Sequence, residues 1–476
     1  MFSHATANYK ERLNRYVNAM FNEKPDRIPI RIFAEEFSVK YCGYSSFDAA
    51  VNLELQFDVN RKFAVETGVD AIQVNSIVNW FGMQKALGWK GITYPGIGLP
   101  INSVTQWGEP ANEEEAFLKA TEYDEFIDDP TAFLINFWLP RFTRHIEQLG
   151  RPVTFEHNMA FINGIMAYNK FFSTWEAKTN ELIQAGVVPA VGSVLKAPLD
   201  IIGDKLRGYL NLCYDLHECR EKVIKACEAL MPHLLNLVLS GADQDGNIPS
   251  IIWMHRGCVP YISKKDFDEI YWPTLKPIVQ ELWARGHQII FYAEGNWDYH
   301  LDSFAELPEK SIIFHCDKTD ILKAHKVLGN KFCLSGGIPN GLLATGTCEE
   351  VRNRCKSVID LIAKDGGYIM DSSALLMSDA KIENVNAMID FTLDYGNYSQ
   401  SGRSTTNSIG NLKRIVRPDL KELNYREQKR KPGVCIPWGE KRKELPKIMG
   451  KEELIQKVWE DVDKLGYGFC WTNLTW

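Results

Sequence analysis

Absences narrow the reading first. The chain of 476 residues has eleven cysteines, but they stand singly from Cys42 to Cys470 and no two form a CxxC pair. That excludes a disulfide framework or a zinc-ribbon spacing and suits the reduced, mostly buried thiols of a cytoplasmic enzyme. No apolar run approaches the roughly 18 residues of a membrane span. The opening MFSHATANYKERLNRYVNAMF lacks the apolar core of a secretory signal. The expectation is a cytoplasmic protein that does not enter a membrane. No long Lys/Arg stripe offsets the net charge of -7, which argues against nucleic acid as a partner. The one basic cluster, residues 426–431 with 441–443, is interleaved with glutamates. It is a solvated face or a docking surface for an acidic partner. Internal repeats are missing too, and the only biased stretch is the polar SQSGRSTTNSIGN that follows Tyr398.

What is present is an ordinary globular composition, 45% hydrophobic and 24% charged. Short Ile-, Val- and Phe-rich runs, each too short for a helix, alternate with helix-length amphipathic stretches. The runs are residues 27–33 (RIPIRIF), 71–76, 187–195, 248–254, 288–293, 311–314, 331–335 and 367–370. Eight such strands alternating with helices predict an α/β fold, a (β/α)8 TIM barrel spanning residues 1–400. A helix over 9–22 should cap its bottom. Residues 46–67 and 130–149 read as helices, 152–157 as a short strand-like run outside the barrel, and 381–394 as the closing helix. Residues 80–107, broken by glycines, prolines and aromatics, form a long loop after strand two. Residues 401–476, with one helix over 451–465, form a C-terminal extension that is a lid, a docking element or a homodimer contact.

Chemistry in such a barrel collects at the carboxyl ends of the strands. Strand five delivers Glu294 and strand six delivers His315. Alternation of faces points Ile290, Tyr292 and Glu294 inward with Ile313 and His315, and sends Phe291 and Ala293 toward the helices. A carboxylate and an imidazole suit zinc, which needs three protein ligands and an open position to be catalytic. Asp371 at the end of strand eight ranks first as the third ligand, with His255 and Cys316 as alternatives. Glu294 could equally be an acid/base group, and His315 a satisfied core residue. Tyr292 and His255 are candidate proton donors. Arg256 could clamp a substrate carboxylate or pair with a structural acid, and His157, in FEHN, carries the same ambiguity. Trp80, Phe81 and Trp107 line a substrate pocket or form the loop's own small core.

Several stretches resemble the uroporphyrinogen decarboxylase superfamily: YKERLNRYVNAMFNEKPDRIPI, APLDIIGDKLRGYLNLCYDLHECREKVIKACEALMP, SKKDFDEIYWPTLKPIVQEL, and FCLSGGIPNGLL followed by GGYIMDSSALLMSDAKIENVNAMID. The resemblance covers about residues 9 to 396 and implies a TIM barrel that is either a decarboxylase or a corrinoid-dependent methyltransferase. The arginine-rich segment by which the decarboxylases hold an acidic tetrapyrrole is replaced here by IFAEEFSVKYCG, with two glutamates. In place of the HxCGN segment of the thiol-methylating zinc enzymes stands Tyr292-Ala293-Glu294-Gly295-Asn296. The Glu294 and His315 spacing resembles part of the ligand pattern of methyl-ether-cleaving methyltransferases, though Val279 stands where that pattern has a further glutamate. The resemblance thus implies zinc on Glu294, His315 and a third ligand, a small methoxylated substrate, and methyl transfer to the Co(I) corrinoid of a partner protein. The alternative is a metal-free lyase or decarboxylase using Glu294 and His315 as acid and base.

Overall fold

The computed structural model describes residues 6–76, 79–146, 152–398, 409 and 429–475. The polar loop after Tyr398 and the expected boundary at residue 400 lie outside these residues. Among the described residues the barrel strands are β1 (Arg31–Ile32), β2 (Ala71–Ile72), a split β3 (Val188–Pro189 then Val194–Lys196), β4 (Ser250–Met254), β5 (Ile289–Ala293), β6 (Ile312–Cys316), β7 (Cys333–Gly336) and β8 (Tyr368–Ile369). All neighbours pair in parallel, in sequence order. The first half of β3 pairs with β2 and the second half with β4, so one kinked strand carries the ring across. The Arg31 amide donates to the Met370 carbonyl at 3.0 Å and the Met370 amide to Pro29 at 2.9 Å, which closes β8 onto β1.

Two cores follow from the alternation of faces along each strand. Ile251, Ile290, Tyr292, Ile313, Cys333 and Ile369 fill the barrel interior, while Ile252, Phe291, Phe314 and Leu334 meet the surrounding helices. The expected phase of strands five and six is thereby met. The helix Ala7–Met20 starts at Thr6, whose hydroxyl accepts from the Tyr9 amide, and it closes the bottom. Tyr16 donates its hydroxyl to the Ala190 carbonyl at 3.0 Å, and the Gln288 side chain donates to the Met20 carbonyl at 3.1 Å.

Three expectations are corrected. Residues 46–67 form two helices, Ser46–Val51 and Leu53–Thr67, because Asn52 leaves the helical region and caps the second. The run 152–157 is no strand. Thr154 and His157 form a capping box that starts the 30-residue helix Phe155–Gln184. The final helix, Glu452–Thr475, runs ten residues past its expected end. Its last turns are buried: Trp471 stacks on His233 at 4.2 Å, and the Tyr467 hydroxyl lies 2.7 Å from His233 Nδ1. His233 belongs to Arg220–Gly241, a helix long and apolar enough to cross a membrane but with 61% of its most apolar window buried in the protein.

The excursion after β2 folds as a helix, Phe81–Leu87, and a small sheet of Ile92–Pro95 with Gly98–Leu99 and Gln106–Trp107. The chain that follows it rests on the turn after β3, where the Phe117 and Leu118 amides both donate to the Leu206 carbonyl at 2.9 and 3.0 Å.

Candidate active site

Above the strand ends lies a cavity of about 450 Å³, within the range of small-molecule sites. Its apolar wall includes Trp80 and Trp107 from the excursion, Phe142, Trp175 from the long helix and Trp253 from β4. The C-terminal extension contributes Thr475, so that segment is part of the wall. The polar side is a charge cluster at the ends of β3, β4 and β5.

His255, just past β4, is its centre. Its backbone amide donates to Asp200 at 3.1 Å and that of Arg256 to the same carboxylate at 2.6 Å, which fixes the turn. Asp200 is itself held by the Tyr271 hydroxyl at 3.0 Å, and burial pushes its carboxyl up to about 6. His255 Nδ1 lies 2.9 Å from Asp204 and its Nε2 lies 3.3 Å from Glu294. Burial opposes a positive imidazole, yet the Glu294 and Asp204 carboxylates outweigh it and raise the pKa above the ordinary 6.5. Asp204 sits well below the usual carboxylate range: burial works against its charge, but Lys196, His255 and Arg256 prevail. Glu294 is shifted upward by burial, against the pull of His255 and Lys196. Asp204 therefore stays ionised and orients the ring, while His255 and Glu294 share one proton facing the cavity.

Of the three expected metal ligands, His315 and Asp371 stand together, with Nδ1 3.9 Å from the Asp371 carboxylate, but Glu294 does not join them. Register sets His315 level with Tyr292, so it lies two residues below Glu294, about 6 to 7 Å measured along the strand. There it is fully buried beneath the cavity floor. Arg31 Nη2 lies 3.1 Å from His315 Nδ1 and donates to Ser335 Oγ at 2.7 Å, and Arg31 Nε donates to Asp371 at 3.0 Å. His315 Nε2 donates to the Ser373 carbonyl at 3.1 Å. With both ring nitrogens engaged, and with burial and the Arg31 cation opposing a second charge, the imidazole is neutral. A guanidinium at the centre of a carboxylate, an imidazole and a hydroxyl fills the place a metal would take, so zinc does not fit this trio. Among the described residues no group of three or more His, Cys, Asp or Glu is arranged to hold a metal ion.

The remaining candidates separate in the same way. Tyr292 is buried against His315, with ring centroids 4.3 Å apart, and its hydroxyl has no hydrogen-bond partner among the described residues; it lines the barrel interior and not the cavity, which leaves it out of reach of a ligand held there. Trp80, Trp107, Arg256, His255 and Glu294 all line the cavity. Arg256 is taken by structural acids, its Nε donating to Asp204 at 3.0 Å and its Nη2 to Glu109 at 3.2 Å. Phe81 packs edge-on to Tyr94 at 5.4 Å, within the excursion's own core. His157 caps its helix through Thr154 and lies outside the cavity lining. Sequence reasoning missed Asp204, Lys205 and Arg31. Arg31 had a signal: it alternates with Ile30 and Ile32 in an apolar strand, and a cation pointing into a barrel demands buried partners.

Comparison with known proteins agrees with this architecture. Residues 178–395 match the uroporphyrinogen decarboxylase (URO-D) family, a stretch running from the end of the long helix through the closing helix. No curated protein sequence matches the chain. Among solved structures, a methyltransferase from Methanosarcina mazei is 16% identical, with a TM-score of 0.50 over 80% of this chain and 98% of that one. That likeness extends the shared fold beyond the family match. Residues 178–395 of this closed parallel barrel with its strand-end cavity are thus similar in sequence to the uroporphyrinogen decarboxylase (URO-D) family.

Proposed function

We propose that this chain is a methyltransferase that takes a methyl group from a small methoxylated aromatic donor bound in the cavity and passes it to an acceptor docked at the barrel mouth. The observation that carries the reading is the His255–Glu294 pair, locked by Asp204 and turned toward an aromatic-walled cavity, in a fold shared with a methyltransferase. Flat aromatic walls fit an aryl ether, stacked or edge-on. A phenolate is a poor leaving group, and a positioned acid lowers the barrier to its departure by protonating the oxygen as the C–O bond opens. Here the proton shared by His255 Nε2 and Glu294 goes to that oxygen, and the methyl carbon moves in line to the acceptor. Asp204 keeps Nδ1 protonated, so Nε2 is the atom that gives up its proton. A Co(I) corrinoid carried by a partner protein would supply the strong nucleophile that such a transfer requires. The aromatic mouth around Arg256, whose guanidinium carbon lies 5.1 Å from the Tyr209 and Tyr261 rings, is where the partner would approach.

The test is methyl transfer from a panel of methoxylated aromatics to reduced cobalamin, followed by loss of the Co(I) absorbance. Wild type should turn over at least one donor. His255→Ala should lower the rate by about 10²- to 10⁴-fold with donor binding retained. Release of CO2 from an aromatic acid with no methyl transfer would overturn the reading in favour of a lyase built on the same acid pair.

A further inference from the structure

Among the cations that line the cavity, Lys90, Lys196, Lys205 and Arg256, Lys205 stands apart from the acid pair. Lys205 is 7% exposed and lines the cavity, with its ammonium 4.6 Å above the Trp107 ring. It makes no ion pair or side-chain hydrogen bond among the described residues, whereas the cations around it are satisfied. Lys196 and Arg256 each reach Asp204 at 3.0 Å, and Arg256 also reaches Glu109 at 3.2 Å. Asp204, next to Lys205 in sequence, already serves Lys196, Arg256 and His255, and among the described residues it forms no hydrogen bond or ion pair with the Lys205 ammonium. Burial, joined by repulsion from Lys196, lowers the Lys205 pKa to about 7 against the pull of Asp204. An ammonium this deep is costly unless something negative meets it, and an aromatic face repays only part of that cost. The protein supplies two walls of a cation site and leaves the counter-ion out.

We propose that Lys205 is a carboxylate-binding residue, so that the cavity takes a planar aromatic acid whose carboxylate rests on the Lys205 ammonium beside Trp107 while its methyl-bearing oxygen faces His255 and Glu294. This rests on reading the cavity as the methyl-donor site and adds to it the charge of the donor. The two glutamates that replace the arginine-rich segment do not oppose it. Burial, with the neighbouring Glu36 and Glu294 charges, holds Glu35 well above the usual carboxylate range, and burial raises Glu36 to about 7 while it accepts the Thr105 amide at 3.3 Å. Neither is a fixed full negative charge against an incoming anion. The ligand's single carboxylate would complete the site, and a ring of benzoate size suits the cavity volume.

The experiment is isothermal titration of the full chain with 4-methoxybenzoate and with its neutral isostere 4-methoxybenzamide, for wild type, Lys205→Met and Lys205→Arg. Wild type should bind the acid at least about tenfold more tightly, about 1.4 kcal/mol. Lys205→Met should lose that preference while keeping its affinity for the amide, which also reports that the variant is folded, and Lys205→Arg should retain most of it. Equal binding of both ligands by wild type, a preference that survives Lys205→Met, or no binding of either at millimolar concentration would each overturn the assignment. Binding is read without turnover. A Lys205-dependent preference with no methyl transfer would leave the subsite standing and remove the methyltransferase reading, whereas methyl transfer from neutral ethers alone would do the reverse.

Discussion

Arg31 shows how one side chain can decide which chemistry a site supports. It is fully buried, with its Nε on Asp371 and its Nη2 on His315 and Ser335, and its guanidinium carbon 4.8 Å from the Phe33 ring. The cation remains charged throughout the working range, while burial pushes Asp371 up to about 7, a shift the Arg31 charge only partly offsets. The sign is that of a raised acid. Between the ordinary carboxylate pKa near 4 and about 7 the unfolded chain gives up this proton and the folded one keeps it, so the group's contribution to stability falls as pH rises. Arg31→Met should therefore cost about 3 to 5 kcal/mol, because it strands a buried carboxylate. Urea unfolding should show a larger loss at about pH 8.5 than at about pH 5.5, where Asp371 is protonated in either form. An equal loss at both would point to packing and not charge. His315→Ala should leave donor binding and metal content unchanged, since its nitrogens face Arg31 and the Ser373 carbonyl.

At the scale of elements, the strand pattern was legible and the helical contributions to the site were not. Runs of four to nine residues rich in apolar side chains announce strands whatever surrounds them, and a period of two tells which side chains point inward. It does not tell at what height they sit, because height depends on the stagger between neighbouring strands. Glu294 and His315 were joined by shared direction and are separated by register, one pleat repeat apart. Asp204 and Lys205 lie on a π-helical turn, Ile202–Arg207, following Pro198–Ile201, where one extra residue per turn shifts which side chains face the barrel mouth. No spacing rule reads that from the chain. Gly208 ends this turn with a φ of +80, and a Cβ there would run into the Pro110 carbonyl oxygen, three residues past the excursion. Gly208→Ala should push the excursion away from Lys205, with a loss of about 1 to 3 kcal/mol in thermal unfolding and weaker donor binding. Unchanged binding would show that the excursion seats independently of the turn.

For the molecule as a whole, distant parts of the chain meet at one place. The excursion after β2, the long helix, the turn after β3, the ends of β4 and β5 and the last turn of the C-terminal helix each give a face of the cavity, and the barrel alone gives only its floor. Four tryptophans in those faces, Trp80, Trp107, Trp175 and Trp253, border the cavity. The wall is thus also an optical device. A flat donor entering it displaces water from indole rings and lies close enough to exchange excitation with them, so the intrinsic ultraviolet emission of the protein should fall in proportion to occupancy. Trp107→Phe should remove much of that signal, and the protein would report its own ligand without a label.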